Sequence, residues 1–368
     1  YKEEMYMKFQ KVLAGMLGLT MIASLTACGS GEATATTDAS TKVETTQEDG
    51  SETDATQGNP VSFTICTDAT LRSTYVEMLV DELNEKSNGR IQGEVLAANS
   101  LGNPSDMCQM LQLGTLDIML SDDMSVDGNL NGALGFAWLP GLVSTEEEAD
   151  EYYNFGWIAD KVSEIMLENN LVRMSSFTNG FRQVGNVVKP ISEMSDIKGL
   201  KIRTPNVTSV VSFYEKCGAL PVMISGSEVL SAIQTGTVDG LDNCVYNYIN
   251  QGVTDVVKYI CQLNYCYSGG CFIAGTPFWD TLDDVDKELF LTCAQDVSNQ
   301  LTDDFRAETD RIIQEGIDNG QWEVTEPSED MKKELQDIYA QIWEESREIY
   351  GDEIMDMIIS GDYKSATK

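Results

Sequence analysis

The chain has 368 residues, 42% of them hydrophobic and 23% charged, with a formal net charge of −36 and a pI of about 4.1. A surface this acidic repels phosphate backbones and anionic lipid heads, which sets nucleic acid aside as a partner. Histidine is absent altogether, which removes Ser-His-Asp and Cys-His catalysis and the commonest zinc ligand, so an enzyme would be left with carboxylates, Lys, Tyr or Cys.

A chain this long exceeds one hydrophobic core, so two lobes are expected. Met5 or Met7 is the expected start. Lys8 and Lys11 precede an apolar run over residues 12–25, too short to span a bilayer comfortably but of the length of a signal-peptide core. It ends Leu25-Thr26-Ala27-Cys28, which resembles the lipobox of bacterial lipoproteins, where the cysteine is acylated and becomes the mature N-terminus. Residues 1–28 are therefore expected to be a lipoprotein signal peptide. Residues 29–60 consist mostly of Ser, Thr, Gly, Ala, Asp and Glu and lack the apolar surface to fold. As a flexible tether they would span roughly 30 Å.

Folding is expected to begin at Val61. A strand over 61–66, a helix over 71–87 closed by Asn88-Gly89, a strand over 91–96, a helix over 104–113 and a strand over 116–120 make a β-α-β-α-β series, the pattern of a mostly parallel sheet. Asp122 and Asp123 stand just past the third strand. Thr145 caps an acidic first turn of a helix expected to reach Asn169, and a strand over 171–177 leads to Gly180 and Arg182. A second α/β series follows, with strands at 200–202, 220–223 and 238–242 and helices at 208–217 and 226–234. From Asp283 to Asn319 apolar residues keep a near four-residue period with no proline or cap between, predicting one helix of about 35 residues, on the order of 50 Å long, running across both lobes. A final amphipathic helix is expected over 328–350, with 351–368 as a tail.

Three polar residues stand out in the second series. Arg203 ends the strand of Lys201-Ile-Arg203 just before Pro205, Arg182 follows Gly180, and Asn243 follows the strand over 238–242, so each is read as lying at a strand exit, where ligands collect in open α/β sheets. Arginine offers two parallel N–H donors to one carboxylate, and an amide adds further donors, so the group points to an acid-binding cleft. Asp122 and Asp123 read on their own as a solvated loop, but lobes closing on each other would set them opposite the arginines. Beyond Cys28, eight cysteines include Cys261, Cys266 and Cys271, spaced by five with no C-x-x-C pair, a poor pattern for zinc or an iron–sulfur cluster. They are read as small apolar core residues, with disulfide partners not assignable from spacing. Phe136, Trp138 and Trp157 are read as core or cleft wall, and Gly269-Gly270 lacks the lysine of a phosphate loop. No metal or cofactor is expected.

The chain from about residue 61 resembles the solute-binding proteins of TRAP transporters, tripartite ATP-independent carriers of organic acids. The matching text is Asn88-Gly-Arg-Ile91, Leu101-Gly102, Leu111-Gln-Leu-Gly-Thr-Leu-Asp117, Gly180-Phe-Arg-Gln183, Asp196-Ile-Lys-Gly-Leu-Lys-Ile-Arg-Thr-Pro205, Gly218-Ala219 with Pro221, Glu228, Ala232-Ile-Gln-Thr-Gly236 and Val238-Asp-Gly-Leu-Asp-Asn243. The resemblance implies a two-lobed periplasmic-binding-protein-like α/β fold with a hinge and a long helix spanning both lobes. Lobe I would comprise 61–180 with about 269–308, and lobe II 181–268 with about 309–350. It also implies ligand-binding roles: Arg203 for the salt bridge to the ligand carboxylate, Arg182 and Asn243 near the ligand, and Asp122 as an acidic contact from lobe I. The sequence departs from the family at Cys244, where proline often follows the asparagine, and lacks a frequent histidine beyond Val256.

The function expected is that of an extracytoplasmic receptor, lipid-anchored through Cys28 to the outer face of the cell membrane. It would capture a small organic acid (a dicarboxylate, keto acid or sugar acid) and pass it to the small and large membrane subunits of a TRAP carrier. The alternatives are the binding protein of an ATP-driven importer, a ligand sensor, and a secreted carboxylate-based hydrolase using Asp122 with a second acid.

Overall fold

A computed structural model describes residues 58–366. The expected signal peptide with Cys28, and nearly all of the expected tether, lie outside the described residues.

The first lobe opens with β1 (Val61–Thr67), joined by a tight turn (Thr70–Arg72) to α1 (Ser73–Lys86). β2 (Ile91–Val95), α2 (Pro104–Leu113) and β3 (Ile118–Asp122) complete the series. β1 pairs in parallel with both β2 and β3. The ends of α2 are written locally: Asn103 accepts from the Asp106 N–H at 3.1 Å while Asp106 accepts from the Asn103 N–H at 3.1 Å, Pro104 takes the first turn, and Gly114 closes the helix in a left-handed conformation.

The helix expected from Thr145 to Asn169 is broken. Thr145 caps a single turn (Glu146–Glu148), a wide π-type turn follows (Ala149–Asn154), and α3 (Trp157–Glu168) starts afresh after Gly156. The break has a tertiary cause. The Tyr153 ring packs edge-on against Tyr267 at 4.8 Å, and the Asn154 amide donates to the Tyr267 hydroxyl at 2.9 Å, contacts that a regular helix would turn away.

β4 (Leu171–Arg173) and β5 (Phe177–Asn186) follow, then β6 (Lys201–Thr204), α4 (Thr208–Lys216), β7 (Leu220–Met223), α5 (Val229–Gln234), β8 (Gly240–Cys244), β9 (Tyr259–Cys261) and β10 (Tyr267–Gly275). The main path of the sheet runs β2-β1-β3-β10-β5-β8-β6-β7. β5 is the element on which the two lobes are strung. Its first half, Phe177 to Phe181, pairs with β10 of lobe I; its second half, Arg182 to Asn186, pairs with β8 and β9 of lobe II. At the change of partner Gly180 has φ +88, a conformation that favours glycine. Arg182 therefore sits inside a strand and not at a strand exit: β5 regains an extended path after Gly180 because ladder partners wait on both sides, whereas Asn243 lies one residue from the end of β8. β10 was hidden from sequence reading by Gly269-Gly270. An added Cβ at Gly270 would lie 2.4 Å from the Phe177 ring, so glycine is required where the two strands cross closely.

α6 (Asp284–Asp318) is one unbroken 35-residue helix, started by Asp283 accepting from the Asp286 N–H at 2.9 Å. Leu289, Phe290, Val297, Leu301 and Phe305 enter the core of lobe I and Ile312 that of lobe II, so the helix spans both. After β11 (Glu323–Thr325), α7 (Glu329–Ser360) runs past Gly351, whose φ of 80° and ψ of 167° interrupt it. The expected tail from residue 351 is thus corrected: Ile354, Met355 and Ile358 are buried in the same core as Met331 and Leu335. Gly351 resets the helical phase, which is why a single apolar period did not reach them. The eight cysteines of the described residues are free and buried.

Candidate functional site

The topology sets two groups of strand ends against each other. β3 and β5 are both antiparallel to β10, so β3 points along β5 toward lobe II. β8 is antiparallel to β5 and parallel to β6, so the C-terminal ends of β6 and β8 point back toward lobe I. Asp122 ends β3; Arg203 and Asn243 lie in the last residues of β6 and β8. Asp122 is aligned through Gly270 with Phe177, and Cys244 with Arg182. These positions on β5 are at most roughly 17 Å apart for extended chain, leaving a gap of small-molecule size between the lobes.

On the lobe II side Arg203 is 6% exposed. Its Nε donates to the Ile224 carbonyl at 2.8 Å, and no carboxylate among the described residues pairs with it. Burial, with the Arg182 guanidinium nearby, pushes its pKa down to about 10. Each of the other seven arginines in the described residues (72, 90, 173, 182, 306, 311 and 347) has a carboxylate partner. Arg182, expected beside the ligand, is already engaged. Its Nε donates to both Asp242 oxygens at 3.1 and 3.0 Å, its Nη2 to the Asp242 carbonyl at 3.0 Å, and its guanidinium lies 4.9 Å from the Trp138 ring centroid. Burial opposes that charge, but Asp242 holds Arg182 well above its ordinary pKa. Asn243 turns its side-chain oxygen onto the Cys244 N–H at 2.9 Å, and the Cys244 thiol donates to the Gly180 carbonyl at 3.2 Å, tying β8 to the break in β5.

On the lobe I side the aspartates are not a solvated loop. Asp123 is fully buried, 3.4 Å from the Arg173 Nε, and accepts from the Cys271 thiol at 3.1 Å. Asp122 accepts through one oxygen from both the Arg72 Nη2 and the Asn179 amide. Arg72 also donates to Asp68 at 2.9 Å. Asp68 and Arg72 were missed from sequence, although the rule that singled out Arg203 applies to them too: they follow β1 at its C-terminal end. Trp138 carries Arg182, and Phe136 packs edge-on against Trp157 and Tyr350 in the core.

A separate cavity of about 350 Å³ at the lobe junction is lined by Phe181, Gln183, Asn264, Phe305, Arg306 and Glu146 among others, and by none of Arg203, Arg182, Asn243 and Asp122. Phe181 and Gln183 face it while Arg182 between them points the other way, as alternation along a strand requires. Arg306 is bonded to both Glu146 and Asp150, with Asp310 also on the wall, so this cavity opposes an anionic ligand. The unpaired cation on β6 lies outside this cavity. Among the described residues no group of three His, Cys, Asp or Glu is placed to hold a metal ion, and no helix is long and apolar enough to cross a membrane.

Two α/β lobes strung on shared strands, a helix crossing both, and facing strand ends with a buried, unpaired guanidinium define a two-lobed solute-binding protein. The chain belongs to the bacterial extracellular solute-binding protein family 7, the DctP family, whose model matches residues 64–348. It is similar to the sialic acid-binding periplasmic protein SiaP of Vibrio cholerae, 26% identical over 275 residues that cover 72% of this chain and 81% of that one. In fold it is similar to a TRAP periplasmic solute-binding protein from Ochrobactrum anthropi whose C-terminus is bound in its ligand-binding pocket, with a TM-score of 0.76, 24% identity, and 83% of this chain and 96% of that one covered. It is likewise similar to the sugar acid-binding protein DctPAm from Advenella mimigardefordensis in complex with galactonate, with a TM-score of 0.75, 20% identity, and 84% and 99% covered. These are binding proteins and not enzymes.

Proposed function

We propose that this protein is the extracytoplasmic receptor of a TRAP-type carrier and captures a small organic acid between its lobes. The observation that carries this reading is Arg203, alone among the arginines of the described residues in having no carboxylate partner while buried. A buried cation without a counter-ion is costly, and a ligand carboxylate removes that cost by accepting two N–H donors of the guanidinium. Asn243, two residues beyond the point where β8 pairs with Arg203, adds amide donors. Arg182 acts through Asp242, holding β8 in place. Asp122 receives ligand groups from the other lobe. Closing the lobes excludes water and strengthens the ion pair as the local dielectric falls. Relatives that bind sialic acid and galactonate support an acid as the ligand. The receptor would be held at the outer face of the membrane by a lipid on Cys28 and would deliver its ligand to the carrier's two membrane subunits.

The test is calorimetric titration with dicarboxylates, keto acids, sugar acids and their neutral counterparts, in the protein and in Arg203→Ala. The substitution is expected to weaken acid binding by about 2–5 kcal/mol, roughly thirty-fold to several thousand-fold. A loss under tenfold places the carboxylate elsewhere.

A further inference from the structure

We propose that the cleft selects acids with a single carboxylate and hydroxyl groups at the opposite end, and rejects dicarboxylates, because Arg203 on lobe II faces an Asp68–Arg72–Asp122 cluster on lobe I. This rests on the assignment of Arg203 as the carboxylate anchor. The two ends of the cleft differ in charge. At the lobe II end Arg182 and Asp242 neutralise each other, and the charge of Arg203 is left over. At the lobe I end two carboxylates share one guanidinium, leaving one negative charge in excess.

Arg72 cannot serve as a second anchor. Its Nη1 is committed to Asp68, and its Nη2 to Asp122 and to the Asn179 carbonyl oxygen at 3.1 Å. Its guanidinium lies 5.1 Å from the Phe177 ring centroid, and its Nε is buried with no partner. A ligand's second carboxylate arriving here would meet two carboxylates and a guanidinium whose terminal nitrogens both already serve them. Like charges brought together out of bulk water repel strongly, and an unpaired anion in such a place is a standard means of rejecting the wrong ligand. The crowding already acts on the cluster: burial pushes the Asp68 carboxyl above its usual range against the pull of Arg72, and the Asp122 charge pushes it further.

A hydroxyl fits where a carboxylate does not. The two protein donors to Asp122, from Arg72 and Asn179, both go to Oδ1. Oδ2 has no protein donor among the described residues, and the Asp122 side chain keeps 23% of its surface exposed. It is an open acceptor at the end of β3, suited to an O–H on the far carbon of an acid held by Arg203.

The experiment uses matched pairs of probes: gluconate with glucarate, galactonate with galactarate, and glycerate with tartronate, with glucose and galactose as neutral controls. Each is titrated calorimetrically into the purified protein, Arg203→Ala and Asp122→Asn; Asp122→Ser replaces the last if its melting temperature has collapsed. At least one monoacid is expected to bind, its diacid at least a hundred-fold more weakly. The Asp122 variant is expected to shrink that ratio below tenfold by admitting the diacid. A diacid that binds the unmodified protein as tightly as its monoacid, through a contact that Arg203→Ala abolishes, overturns the selection and leaves the receptor reading standing. Acid binding that survives Arg203→Ala places the carboxylate elsewhere and overturns the selection at its premise, and a panel in which nothing binds overturns the receptor reading itself.

Discussion

Arg182 and Asp242 close on each other across the ladder between β5 and β8. The arginine donates to both carboxylate oxygens and to the carbonyl of the same residue, and the Tyr265 hydroxyl donates to Asp242 at 3.0 Å. Both partners are essentially out of solvent. An arginine whose Nε and Nη2 are both held this way fastens the strand change, whereas Arg203 has no carboxylate partner among the described residues.

Arg182→Ala removes the hydrogen-bonded counter-charge of buried Asp242 and leaves it only the unbonded Arg203 nearby. The expected loss is about 3–5 kcal/mol of folding stability with or without ligand, measured by urea unfolding. A loss below about 1 kcal/mol would return Arg182 to the set of open ligand contacts.

Arg203 predicts the opposite sign. Replacing an unpaired buried cation by an apolar side chain of similar length, Arg203→Met, removes an unmet desolvation cost. The ligand-free protein should gain about 1–3 kcal/mol while losing acid-induced stabilisation. Thermal unfolding with and without acid reads both at once, and a less stable ligand-free variant would show that the Arg203 bond to the Ile224 carbonyl outweighs the desolvation cost.

Gly180 holds a left-handed backbone at the lobe junction, and nothing lies within 4 Å of an added Cβ. Gly180→Ala should therefore cost only the backbone term, about 1–2 kcal/mol, and Gly180→Asn less. Equal losses in the two variants would point to packing instead.

Asp196 accepts from the Ser192 and Glu193 N–H groups at 3.2 and 3.0 Å, which lowers its pKa below the ordinary carboxylate value. A depressed carboxylate contributes stability that is present above its unfolded pKa of about 3.9 and lost as pH falls through the lower folded value. Asp196→Asn should thus be less stable than the parent at pH 6, with the difference shrinking below about pH 4. A difference that grows on acidification would contradict the assignment.

Burial raises the cysteine thiols, pushing Cys217 and Cys244 each up to about 12. The eight thiols of the described residues should react with a disulfide reagent only after unfolding, because the thiolate is the nucleophile. Fast modification of the native protein at any of them would place that thiol at the surface.

The sequence by itself determined what depends on short-range order. Strand and helix alternation in lobe I and the unbroken period of α6 were legible because each is written within a few turns of chain. So was the end of β6 beside Arg203, since a strand followed by proline has only one place to end. Tertiary structure decided the rest. Which arginine is free could not be read from spacing, because Asp242 pairs with Arg182 through a ladder between residues sixty positions apart. The break at 149–156, the run of β5 through Gly180 and the burial of Ile354 beyond Gly351 each arise from partners distant in the chain. Hydrogen bonding and burial between such partners outweigh local propensity, and local propensity is the only force that a sequence displays directly.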